Sequence, residues 1–127
     1  MEIEIKCSLG EIIDKMTILE IKAKLIKDKK KLININKELN YIQQKLNKEN
    51  YKTKIQNLIE ELTTVNNKLW NIEDEIRIKE KRKEFDKRFI DLARDVYKTN
   101  DIRSKIKKEI NILLGSDLVE EKSYENL

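Results

Sequence analysis

Residues 8–26 read SLGEIIDKMTILEIKAKLI, and this stretch decides the expected fold. Ser8 followed three residues later by Glu11 is a capping box, which predicts a helix that begins near Leu9. Two apolar stripes run along opposite sides of this helix: Ile12, Met16, Leu19, Ala23 and Ile26 on one side, and Ile18, Ile21 and Leu25 on the other. Because each stripe needs a packing partner, the sequence predicts that this helix lies between two others.

The second stripe continues at alternating steps of three and four residues, as in a coiled coil. All of its positions are apolar except Asp28: Ile18, Ile21, Leu25, Asp28, Leu32, Ile35, Leu39, Ile42 and Leu46. The spacing predicts one continuous helix of about 40 residues, roughly 60 Å long.

A polar turn near residue 50 separates this helix from a second unbroken stripe, which predicts another long helix to about Arg82: Ile55, Leu58, Leu62, Val65, Leu69, Ile72 and Ile76. Asp86 is a suitable N-cap for a third helix. We therefore expect a single all-α domain over residues 1–127. Its architecture would be an antiparallel up-down-up bundle of long helices, with a coiled-coil hairpin arm protruding at about residues 30–65.

The apolar pattern of the predicted third helix is interrupted at positions 97–101. We therefore expect a break there, with Asn100 capping a last helix. That helix would fold back and end before Gly115, a C-terminal helix signal. The alternating segments 3–6 and 118–124 could then meet as a short strand pair or clamp over the Ile12–Met16–Leu19 face.

Composition argues against most enzyme classes. The chain has no His and a single Cys, so His-based metal sites, catalytic triads and thiolate zinc clusters are excluded. Only two Gly are present, which leaves no Gly-rich phosphate loop. We expect no cofactor and no metal, and a non-enzymatic role is favoured over an enzymatic one.

A cytoplasmic protein without a membrane span is the simplest interpretation of the same composition. No apolar run approaches the ~20 residues that cross a bilayer, and the lone Cys7 cannot form an internal disulfide. The net charge of +4 raises nucleic-acid binding as an alternative. Only five of the 28 basic residues are Arg, however, and Arg is the usual reader of nucleic acid, so this alternative is not preferred.

Polar residues on the apolar stripes are the candidate site. If the chain turns near residues 50 and 84, Asp28, Glu73, Asn100 and Arg103 lie at one level of the bundle, with Trp70 nearby. Such a layer could fix the register of the helices, as polar core residues do in coiled coils. Alternatively, it could form a polar pocket for an anionic or sugar-like ligand, with Arg103 as the donor.

Four further positions have two interpretations each. Asp14, with Lys15 and Thr17 beside it, would pair with the basic corner at residues 83–88 or act as a catalytic carboxylate. Trp70 would pack against the third helix or anchor a protein partner at the surface.

The chain resembles a family of small bacterial proteins of unknown function. The resemblance is carried by residues 8–22 (SLGEIIDKMTILEIK), 69–74 (LWNIED), 97–101 (YKTND) and 108–124, which include KEIN and LLGSDLVEEKSY. It implies no established activity, but it suggests a link to bacterial cell-surface polysaccharide biosynthesis. Relatives tend to have Pro where this chain has Lys29, which implies the alternative that Asp28 caps a second helix.

Three functions remain as hypotheses. The preferred one is a non-enzymatic helical interaction or scaffold module that binds a protein partner or forms a homo-oligomer. The second is a small all-helical ligand-binding protein or enzyme with a polar pocket around Glu73 and Arg103. The third is nucleic-acid binding through Lys-rich helix faces.

Overall fold

The computed structural model describes residues 1–124, and their regular structure consists of four helices. These are α1 (Leu9–Leu25), α2 (Lys29–Leu46), α3 (Lys52–Lys81) and α4 (Lys87–Leu113). The predicted all-α class is therefore confirmed. None of the four described helices is both long and apolar enough to cross a membrane.

The first helix begins as predicted but ends early. The Ser8 hydroxyl accepts a hydrogen bond from the backbone N–H of Glu11 at 3.3 Å. The Asp28 carboxylate caps α2, because it accepts from the N–H groups of Lys30 at 2.9 Å and Lys31 at 3.3 Å. The predicted continuous helix is therefore wrong, and the alternative implied by the family resemblance is right. A heptad pattern reports which face is apolar, and that face can continue across a chain reversal.

α1 lies between the other helices, as its two stripes predict. It is the one helix that packs against all three others in the described part of the chain. Met16 and Leu19 share a core cluster with Leu39, Ile42 and Leu46 of α2. The opposite side of α1 faces α3 and α4, through residues that include Asp14 and Thr17.

The predicted hairpin of α2 and α3 is not formed, since in the described residues α2 packs on α1 and makes no close approach to α3. The reversal at Asp28 turns the apolar stripe of α2 back onto α1. The long antiparallel hairpin is instead made by α3 and α4. Near its turn, Arg88 donates to Glu75 at 2.7 Å and Lys79 donates to Asp86 at 2.8 Å.

α4 begins at the predicted cap, where the Asp86 carboxylate accepts from the N–H of Phe89 at 3.0 Å. It then runs through Asn100 without interruption, so the predicted break is wrong. Arg103, one turn after Asn100, pairs with Asp14 of α1 inside the bundle, and this pairing removes the reason for a break. Gly115, with φ +67°, follows the end of α4 as predicted.

The start of α1 and the tail at residues 117–124 come close without a folded-back helix, since Lys107 pairs with both Glu11 and Glu120. Because the reversal at Asp28 adds one helix, α1 and α4 run antiparallel, and the start of α1 lies beside the end of α4. The predicted strand pair is not formed, since residues 1–7 and 117–124 have no regular secondary structure. The tail instead contacts α4 through two ion pairs, Glu120 with Lys107 and Glu121 with Lys108. The last part of the predicted tail, residues 125–127, lies outside the described residues.

Candidate functional site

A buried carboxylate lies at the junction of α1, α3 and α4. Asp14 is only 1% exposed, and a buried charge is strongly unfavourable unless it is paired and hydrogen bonded. The Arg103 guanidinium of α4 supplies both, with Nε donating to Oδ1 at 2.9 Å and Nη2 donating to Oδ2. Asn66 of α3 adds a third donor, with Nδ2 2.9 Å from Asp14 Oδ1. One carboxylate therefore links three helices.

Thr17 and Asn66 have defined orientations in this cluster. The Thr17 hydroxyl donates to the backbone carbonyl of Asp14 at 2.7 Å, and Asn66 Nδ2 donates to the same hydroxyl at 2.8 Å. Since the carboxylate and the Thr17 oxygen both act as acceptors here, the Asn66 NH₂ group must face them. This orientation leaves the buried Asn66 Oδ1 without a hydrogen-bond partner among the described residues.

Arg103 connects the buried carboxylate to the surface, because 27% of its side chain is exposed. Its Nη1 donates to Asn100 Oδ1 at 3.4 Å. Hydrogen bonding to the Asp14 carboxylate raises the pKa of Arg103 above its ordinary value. The guanidinium therefore stays charged across the physiological range.

Gly10 sets how closely α1 approaches the end of α4. Its N–H donates to Asn111 Oδ1 at 2.7 Å. A Cβ atom on Gly10 would lie 2.5 Å from the backbone oxygen of Lys107 and 2.7 Å from Asn111 Oδ1. Only a residue without a side chain allows this contact.

Lys107 forms a second charged group one turn of α4 away from Arg103. Its ammonium group lies 2.7 Å from Glu11 of α1 and 3.2 Å from Glu120 of the tail. Burial lowers the pKa of Lys107, but hydrogen bonds to these two carboxylates outweigh burial, and the pKa is raised above its ordinary value. Lys107 therefore joins the tail to the start of α1 through two ion pairs.

The structure brings together only part of the predicted polar layer. Asn100 and Arg103 contact each other, whereas Asp28 caps α2 at the surface and Glu73 pairs with Arg77 at 3.1 Å. The prediction that these four residues lie at one level of the bundle assumed a continuous first helix. The chain reversal at Asp28 makes that assumption wrong. The role of these four residues in ligand binding stays a prediction.

The other candidate positions lie as follows. Asp14 pairs with Arg103, so the predicted pairing with the corner at residues 83–88 is wrong. Thr17 is part of the buried cluster, and Lys15 pairs with Glu38 of α2 at 2.9 Å. Trp70 is half-buried on α3, and its role as a partner anchor stays a prediction.

Sequence reasoning missed Asn66, Lys107 and Asn111, all of which are buried. A signal was present for Asn66, since it lies four residues after Leu62 and three before Leu69 on one helix. This spacing places an amide on an apolar face. Such a residue needs a polar partner on a neighbouring helix.

The N-terminal groove is a separate feature, formed between residues 3–7, α1 and α2, with a volume of about 570 Å³. Its lining combines apolar and charged side chains: Ile3, Ile5, Cys7, Ile12, Tyr41 and Ile42, with Glu4, Glu11, Lys15, Glu38 and Lys45. Ile3 and Ile5 are 80% and 77% exposed. Within residues 1–124, no three acidic or Cys side chains are placed to hold a metal ion.

Comparison with known proteins identifies the family of the chain but no activity. No curated protein and no solved structure shows a significant match to it. The model of one protein family, described as a family of unknown function, matches residues 1–127. This match confirms the resemblance to a family without an assigned activity, and the chain accordingly belongs to the family DUF6165.

Proposed function

We propose that the protein is a non-enzymatic helical interaction module of the cytoplasm, and that it binds a protein chain through the N-terminal groove. The observation that carries the proposal is the exposure of Ile3 and Ile5 beside an apolar surface that includes Ile12 and Tyr41. Burying a side chain of this size is worth about 1.5–3 kcal/mol. A bound chain would bury several of them at once.

The composition of the groove supports this proposal. Protein interfaces combine apolar and polar side chains, and the N-terminal groove offers both kinds. Its lining carries both signs of charge, with Lys15 and Lys45 as well as Glu11 and Glu38. Lys15 and Glu38 already form an ion pair at 2.9 Å. A peptide with apolar side chains on one face and alternating charges on the other would fit such a surface.

The Asp14 cluster has a structural role in this proposal. Arg103 and Asn66 donate hydrogen bonds to the Asp14 carboxylate. None of these three residues lines the N-terminal groove. The cluster would fix the register of α1 against α3 and α4, as buried polar groups do in some helical proteins. It would thereby hold the α1 side of the groove in place.

The family resemblance adds a pathway to the proposal. Bacterial cell-surface polysaccharide biosynthesis is the suggested setting, and the bound protein would belong to it. A partner from an unrelated pathway would remove this part of the proposal and leave the interaction role intact.

A pull-down with matched variants tests the interaction role. We expect Ile5→Glu to lose the bound protein, because a charge would replace an apolar contact in the groove. Ile33→Glu is the matched control, since Ile33 is 68% exposed on α2 and lies outside the groove. Equal recovery by both variants would contradict the proposal. Salt-sensitive nucleic-acid binding without any protein partner would favour the nucleic-acid alternative instead.

A further inference from the structure

The segment Ile3-Glu4-Ile5-Lys6-Cys7 has the pattern of a strand but no strand partner among residues 1–124. Apolar and charged residues alternate along it, which places Ile3, Ile5 and Cys7 on one face when the backbone is extended. Within the described part of the chain, no backbone hydrogen bond involves residues 3–7. Both the apolar face and the backbone groups are therefore available to another chain.

We propose that a second copy of this chain occupies the N-terminal groove, and that the two N-terminal segments pair as an antiparallel ribbon about a two-fold axis at Ile5. This inference rests on the proposed function, because it names the partner that the groove binds. The contact is isologous, since the same surface is used by both copies.

The order of charges selects this register. With the axis at Ile5, Glu4 lies opposite Lys6 of the second copy, and this pair occurs twice. An axis at Glu4 or at Lys6 would place two identical charges opposite each other, and an axis at Ile3 would place Glu2 opposite Glu4. Opposite charges across a strand pair are stabilising and like charges are destabilising, so Ile5 is the favoured centre.

The groove supplies what the ribbon lacks. A two-stranded ribbon alone is marginally stable in water and needs an apolar surface to cover one face. Here one face carries Ile3, Ile5 and Cys7 from each copy, and the adjacent groove offers Ile12, Tyr41 and Ile42. Lys6, which does not line the groove, would remain in water, and Glu4 would lie at the groove surface.

Disulfide cross-linking tests the register. In a Cys7→Ser background, Ile5→Cys places two thiols directly opposite each other at the axis, where a disulfide can form. We expect a covalent dimer under mild oxidation. Glu4→Cys in the same background is the control, because this position faces Lys6 of the second copy, and we expect much less covalent dimer.

Charge exchange tests the same register without a disulfide. Sedimentation should show that Glu4→Lys and Lys6→Glu each weaken the dimer by about tenfold, because each places like charges opposite each other at two positions. The double variant should restore dimerisation. Thermal unfolding of the monomer should be unchanged in all three, since the segment lies outside the helices.

The outcomes separate this inference from the proposed function. Equal cross-linking at positions 4 and 5, or a strict monomer at high concentration, would overturn the homodimer. If the monomeric chain still captures a different protein in an Ile5-dependent manner, the interaction role stands without the homodimer. If neither contact depends on Ile5, both proposals are wrong.

Discussion

The Asp14 carboxylate on α1 is held by the Arg103 guanidinium on α4, with Nε 2.9 Å from Oδ1, although the two residues are 89 positions apart in the sequence. A buried ion pair stabilises a fold no more than a well-packed apolar pair of similar volume does. Removing one member, however, leaves a buried charge without compensation. The helices that carry the two residues are therefore held in one register.

Removing Arg103 should strongly destabilise the fold. We expect Arg103→Met to lower the free energy of unfolding by about 3 kcal/mol, near the lower limit for a broken buried pair because Arg103 is partly exposed. Urea unfolding followed by circular dichroism measures this change. Arg77→Met is the control, since Arg77 pairs with Glu73 at the surface, and it should change stability by at most about 0.5 kcal/mol. Similar losses in both variants would contradict the burial of the pair.

A methyl group at Gly10 should force α1 away from α4. The Cβ of Gly10→Ala would meet the Lys107 carbonyl and Asn111 Oδ1 at 2.5 and 2.7 Å, and we expect a loss of about 1–3 kcal/mol in the free energy of unfolding. Because Ala favours a helix by about 1 kcal/mol over Gly, the steric cost should be larger than the net loss of stability by about that amount.

Gly115→Ala provides the comparison for this substitution. Among the residues that the structure describes, none lies within 4 Å of a Cβ on Gly115, but the backbone has φ +67°. We expect a loss of about 1 kcal/mol from backbone strain alone. Thermal unfolding of both variants compares the two effects, and a Gly10→Ala protein as stable as the original would contradict the close contact of α1 with α4.

Local signals in the sequence were sufficient for the helix class and for most helix starts. Ser8 and Asp86 were recognisable caps, because capping depends on residues within one turn. The break at Asp28 was not decided by spacing, since an apolar stripe has the same period whether the helix continues or the chain reverses. The polar residues near Asn100 indicate a break when only their neighbours in sequence are considered, because Asp14, the buried partner of Arg103, lies 89 positions away.

Only part of the candidate site could be predicted from the sequence, because its residues come from distant parts of the chain. The sequence singles out Asn100 and Arg103 as polar residues on an apolar face and Asp14 and Thr17 near the start of the first helix. Their mutual contacts depend on how three helices are aligned. Because the sequence pattern does not show the chain reversal at Asp28, it places Asp28 and Glu73 at the same height in the bundle as Arg103. Asn66 was missed because one amide beside an apolar stripe is a weak signal without its partners.

Lys107 should make stability sensitive to high pH. Its pKa is raised in the folded protein by Glu11 and Glu120, so its contribution is complete below its unfolded pKa and is lost as pH rises through the folded pKa. Burial raises the pKa of Tyr51 and gives the same sign. We expect the urea midpoint to fall as pH rises above 10.5, the ordinary pKa of Lys.

Lys107→Met isolates the contribution of this residue to the alkaline loss. The variant should lose less stability between neutral and alkaline pH than the original chain, while the contribution of Tyr51 remains in both. Lys108→Met is a matched control, because Lys108 pairs with Glu121 at an exposed position. An alkaline loss of the same size in Lys107→Met and the original chain would show that Lys107 does not cause it.

The last prediction introduces a second carboxyl group beside Asp14. Asn66 Nδ2 lies 2.9 Å from Asp14 Oδ1, and Asn66 is buried, so Asn66→Asp would place two carboxylates in contact. Burial and the like charge should raise the pKa of the new group. Its ionisation at neutral pH should cost about 3 kcal/mol, the equivalent of roughly two pKa units.

Lowering the pH should relieve this cost. Once protonated, the new carboxyl group can donate to Asp14 as the amide does. A group with a raised folded pKa stabilises the fold at low pH and loses that contribution as pH rises, so the difference from the original chain should shrink as pH falls. Urea unfolding at neutral and mildly acidic pH measures the difference, and Asn71→Asp, at an exposed position on the same helix, is the control. A deficit that does not change with pH would show that the new group is not ionised beside Asp14.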